Sequence, residues 1–151
     1  MIYNETIVIQ NNKARRILEG CKKEGIELYD SINNKSRSIM GISMNNLQKQ
    51  VEKDATRVSV WSEKTRDKIE EIFLTPRLVI EFNKKNKLEE EFPTNPYGLH
   101  VVVKKALLRQ IYFIEVIIND IGNYKIKRSI NSNKVELEKF GLTNFNVETS
   151  K

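Results

Sequence analysis

Asn95-Pro96-Tyr97-Gly98-Leu99-His100, followed by a helical stretch to about Arg109 and a β-branched run from Ile111 to Asn119, decides how this chain is read. The six residues look like a helix start with a phosphorylatable side chain at the cap. A second string, Arg37-Ser38-Ile39-Met40-Gly41, has the same character, with Ser38 at the expected cap. Both matter because other catalytic material is scarce. The chain holds one His (His100) and one Cys (Cys21). It shows no metal-ligand cluster and no Gly-rich phosphate loop, so neither metal nor cofactor is expected.

Working outward from these strings, short elements alternate. Glu5 to Gln10 is β-branched and reads as a strand. Asn11 or Asn12 then caps a helix with Ala14, Ile17, Leu18 and Cys21 on one face, ended by Gly25. Ile26, Leu28 and Ile32 alternate as a strand, and Asn33 to Lys35 turns. A helix from near Ser38 aligns Met40, Met44, Leu47 and Val51. Thr56 to Trp61 alternates again, with Val58 and Val60 on one side, and Ser62 caps a helix to about Leu74. Arg77 to Phe82 reads as a linking strand and Asn83 to Lys87 as a turn.

A second round follows: a weak strand Glu89–Phe92, a loop at Asn95-Pro96-Tyr97-Gly98, and a helix from about Leu99 to Arg109. A hairpin (Ile111–Asn119, turn at Asp120-Ile121-Gly122, then Tyr124–Ile130) precedes a short helix at Val135–Phe140 and a strand at Asn144–Glu148. The order βαββαβ occurs twice, the second time without its last helix. The expected fold class is therefore α+β, two tandem open-faced sandwiches over residues 1–75 and 85–151, joined by 76–84.

On these residues the chain resembles HPr, the histidine phosphocarrier of the bacterial sugar phosphotransferase system. In that family an Asn-Pro-x-Gly-Leu-His loop opens the first helix, followed by Ala-Arg-Pro-Ala. A Lys-Ser-Ile-Met-Gly segment carries a regulatory Ser. The resemblance implies phosphotransfer at His100, with Gly98, Lys104 and Lys105 near the phosphoryl group. It also implies regulatory phosphorylation at Ser38, or at Ser129 in repeat two. Ile39, Met40, Met44 and Leu47 then form an apolar patch for phosphotransferase or kinase partners. Departures are clear: Val101-Val102-Val103 stands where the family has Ala-Arg-Pro, and Lys13 falls at the His position of repeat one. The chain is thus at most a phosphoryl carrier, and otherwise a regulator acting through protein contacts.

The formal charge of +6 raises a nucleic-acid alternative. Net charge is +3 over residues 1–60, −1 over 61–100 and +4 over 101–151, with acidic residues interrupting nearly every basic stretch. Ile39-Met40-Gly41-Ile42-Ser43, followed by Leu47, mimics a helix-turn-helix core within 33–53. A small DNA-binding transcriptional or mobile-element regulator is the rival reading. No apolar run is long enough to span a bilayer, and the start of the chain shows no secretory pattern. A single Cys cannot form an intrachain disulfide, so a cytoplasmic protein is expected, with Cys21 in its core.

Overall fold

The computed structural model describes residues 5–34, 43–86 and 95–126. They form a short strand β1 (Thr6–Ile7) and four helices, α1 (Asn11–Asn34), α2 (Met44–Ile72), α3 (Arg77–Lys85) and α4 (Pro96–Asp120). A 3-10 turn (Ile121–Asn123) and a two-residue strand β2 (Lys125–Ile126) follow. The expected α+β sandwiches are not the fold: the chain is mainly helical. Helices from both expected repeats pack into one core, with α4 lying against α1, α2 and α3.

Each misread strand has a physical reason. Ile26, Leu28 and Ile32 alternate over a short window, yet Leu18, Cys21, Gly25 and Ile32 form a buried helical stripe over the longer one. Gly25 does not end α1; it lies buried in its middle. Thr56 to Trp61 belongs to α2, whose Val51, Val58, Thr65, Ile69 and Ile72 line one side. Ser62 is a buried interior residue of that helix rather than its cap. Arg77 to Phe82 is helical, with Leu78 and Phe82 turned inward four residues apart and Pro76 just before the first turn. The strand expected at Ile111 to Asn119 continues α4, where Leu107, Ile111, Ile114 and Ile118 recur at helical spacing. A short β-branched run has no period of its own that separates a strand from a buried helix. The weak strand at 89–92, the helix at 135–140 and the strand at 144–148 lie outside the described residues.

Trp61 is where all four helices meet. Its indole packs against Gly25 of α1 and tilts against Phe82 of α3, with centroids 6.1 Å apart. Its Nε1 donates to the Cys21 carbonyl at 3.0 Å. Ile111 of α4 closes the other side of Gly25. A methyl group on Gly25 would stand 2.6 Å from the Trp61 ring and 3.0 Å from Ile111. The glycine is there for close approach, despite its poor helix propensity. Phe82 also stacks obliquely on Phe113, centroids 6.5 Å apart. The end of α3 is tied to α4 by Gln110 Nε2 and Arg109 Nε, which donate to the carbonyls of Phe82 and Lys85 at 2.9 Å each. Side chains of α4 thus satisfy carbonyls that the last turn of α3 leaves unpaired.

The bundle end nearest the N-terminus is closed by a strap. β1 pairs in parallel with β2, Thr6 opposite Lys125 and Ile7 opposite Ile126. On its other edge, Val8 N–H donates to Ile72 O and Leu74 N–H to Thr6 O. Glu5 is buried beside them and accepts from the Thr75 hydroxyl at 2.9 Å.

Two glycines of α1 give opposite expectations. Gly25→Ala is expected to destabilise by about 1–3 kcal/mol through overpacking, outweighing a propensity gain of about 1 kcal/mol. Gly20 has nothing within 4 Å of an added Cβ, so Gly20→Ala should stabilise by about 0.5–1 kcal/mol. Chemical denaturation of both variants checks this; equal effects would contradict the close approach.

Candidate functional site

A helix does open in this segment, but the expected loop Asn95–Gly98 is its cap and first turn, so α4 begins at Pro96 and not near Leu99. The Asn95 side chain accepts from Gly98 N–H at 2.8 Å, and Pro96 occupies the first turn with φ already suited to it. The cap is therefore Asn95, and His100 sits in the second turn, buried at 5% exposure. The amides that would have received a phosphoryl group are largely committed. Pro96 has none, Gly98 donates to the Asn95 side chain, and Leu99 donates to the Asn95 carbonyl at 3.1 Å. An exposed imidazole at an open helix end is not what this segment builds.

His100 feels the charges of Asp54 and Lys104, which belong to polar contacts between three helices. Asp54 of α2, 1% exposed, accepts from Gln50 Nε2 at 3.0 Å and from the Arg57 guanidinium at 3.4 Å. Arg57 also donates to Ser31 Oγ of α1 at 3.2 Å, and Lys104 Nζ donates to Asn33 Oδ1 at 3.0 Å. Burial pushes the His100 imidazole below its usual value, and the Lys104 charge adds to this. Asp54 pulls the other way. The cluster holds the α4 start against α1 and α2, and beside it Leu47, Val51 and Leu99 form a small apolar contact. A buried polar group demands matched partners, so such a cluster fixes which turns of the three helices meet.

The other expected site residues scatter. Ser38, Ser129, Ile39 and Met40 lie outside the described residues. Met44 is exposed at the start of α2, whereas Leu47 is buried three residues later. The cap of α2 is Ser43, whose Oγ accepts from Asn46 N–H at 3.2 Å. Lys104 reaches α1, and Lys105 is solvent-exposed. The proposed helix-turn-helix segment 33–53 contains the end of α1, undescribed residues, and the first turns of a 29-residue helix. Among the described residues, no group of three or more His, Cys, Asp or Glu side chains is placed to hold a metal ion. Cys21 is buried, as the sequence suggests, and its thiol is pushed up by burial.

A feature the sequence reading missed lies on the side of α4 away from the core. Val101 is 44% and Tyr112 63% exposed, and Leu108 between them is half-buried. Positions 101, 105, 108 and 112 share one face at helical spacing. Beside this row α1 presents Ile26, 40% exposed. Between the two helices runs a shallow groove of about 350 Å³, walled by Ile26, Tyr29, Leu108, Ile111 and Tyr112 and crossed at one end by the Lys22–Glu115 ion pair. The signal was present in the sequence. From Leu99 to Ile118 apolar residues occur on every side of the helix, a pattern expected of a helix covered all round.

No protein-family model matches the chain, and neither the curated proteins nor the solved structures yield a match. Among the described residues, no helix is long and apolar enough to cross a membrane.

The His100 environment carries a pH dependence. A histidine whose folded-state pKa is depressed resists protonation when folded, so its contribution is intact above the unfolded value of about 6.5 and is lost as pH falls below it. Thermal unfolding should show the Tm dropping on acidification from about pH 6.5, with His100→Gln flattening that part of the profile. Parallel profiles for the two proteins would contradict the buried, neutral imidazole.

Proposed function

We propose that this chain works as an interaction protein whose contact surface is the outer flank of α4 together with the neighbouring face of α1. One observation carries the reading: α4 bears exposed apolar side chains on the side that the bundle does not cover, with Tyr112 the most exposed of them. Single exposed apolar side chains are ordinary on protein surfaces. Here Ile26, Tyr29, Leu108 and Tyr112 line one groove between two helices, and Val101 lies further along the same face of α4. Contiguous patches of this kind mark contact sites, and tyrosine is enriched among residues that dominate binding energy.

Support for the phosphocarrier reading is weaker. It needs a sandwich and an accessible His, whereas the fold is helical and His100 is buried within α4. His100 lies inside the bundle, on the helix that bears the exposed row.

A photoreactive amino acid at position 112, in the cell that makes this protein, should give protein adducts. The same residue at exposed Ser59 on α2 should give few or none. Absence of adducts at 112, or equal labelling at both positions, would count against the reading.

A further inference from the structure

The groove face has a charge pattern that matches itself. α1 and α4 run antiparallel, as three contacts along them show: Lys22 with Glu115, Gly25 with Ile111, and Asn33 with Lys104. These pairs define which residues stand at the same height. Ile26 is level with Ile111 and Tyr112, and Tyr29 with Leu108. Asp30 of α1 is within about one turn of the height of Lys105 on α4. At the other end, Lys22 and Lys23 of α1 are level with Glu115. The acidic end of one helix therefore stands beside the basic end of the other, and the reverse holds at the opposite end.

We infer that this face receives a second copy of the same chain, giving a two-fold dimer with its axis parallel to α1 and α4. That rotation keeps each helix at its own height and lays α1 of one protomer against α4 of its partner. Asp30 then meets Lys105 of the partner subunit, and Lys23 meets the partner's Glu115. Ile26 faces the partner's Tyr112, so the apolar row is buried twice over. Each contact occurs in duplicate, as a two-fold interface requires. The paired helices run antiparallel across the interface, in the four-helix arrangement whose packing suits long amphipathic helices. The contact from Val101 to Glu115 is about 21 Å long. Charge matching of this kind selects a partner and sets its register.

This inference rests on the reading of the α4 flank as a contact surface. Sedimentation equilibrium of the full chain at ~100 µM should give about twice the 17.7 kDa chain mass. Asp30→Lys and Lys105→Asp should each weaken the dimer about tenfold, and the double variant should restore it, because the swapped charges meet again. Circular dichroism separates dissociation from unfolding in the single variants. A full chain that sediments as a monomer overturns the inference, as does a double variant no tighter than either single one. The photoreactive residue at position 112 separates this failure from that of the parent reading. Adducts to a second copy support the dimer. Adducts to a different protein keep the contact surface but remove the second copy from it. An adduct within one chain, to residues 127–151, shows that the chain covers the face itself and overturns both.

Discussion

The contact between Trp61 and Gly25 holds the architecture in place. A 29-residue and a 24-residue helix can pass each other in many registers, because both carry long apolar stripes. Only one position on α1 lacks a side chain at the point where a six-carbon ring must enter. With the indole seated there, its N–H reaches the Cys21 carbonyl, and Phe82 and Ile111 have a fixed surface to pack on. The crossing of α1 and α2, the position of α3 and the level of α4 all follow from that seat. A hydrophobic core alone would supply the driving force without the choice of register.

The two ends of the bundle are finished by different means. At one end, Asp54, Arg57, Ser31 and Lys104 tie three helices by hydrogen bonds whose geometry tolerates little sliding. At the other end, backbone pairing holds: β1 lies between β2 and the segment after α2, with Phe73 set edge-on to Tyr124 at 5.7 Å. The first arrangement depends on side-chain charge and the second on main-chain amides. Acidification acts on the first through His100 and leaves the amides of the second unchanged.

The sequence makes some of this legible and hides the rest for identifiable reasons. A helix beginning near Asn11, the face of Ala14, Leu18 and Cys21, and a helix opening within Asn95–His100 can all be read from local chemistry. Local signals also misled. Gly25 has the position of a terminator when only its chain neighbours are considered, and its real neighbour, Trp61, is 36 residues away. Ser62 has the chemistry of a cap but lies buried within α2. Val58-Ser59-Val60 and Val116-Ile117-Ile118 favour strands by propensity, which tertiary packing overrides inside long helices. His100 shows the same limit at the candidate site. Its neighbours in the chain suggest an exposed nucleophile, whereas Asp54, brought in from α2, makes it part of a buried network.

The pairing of β1 with β2 has a consequence for the order in which the chain assembles. Thr6 must find Lys125, and Val8 must find Ile72, so these residues have partners made much later in synthesis. Closing loops of that length is entropically unfavourable until their ends are already held near each other. The helices from Asn11 onward can supply that proximity by docking on one another first. The strap then behaves as a clasp, fastened after the body has taken shape.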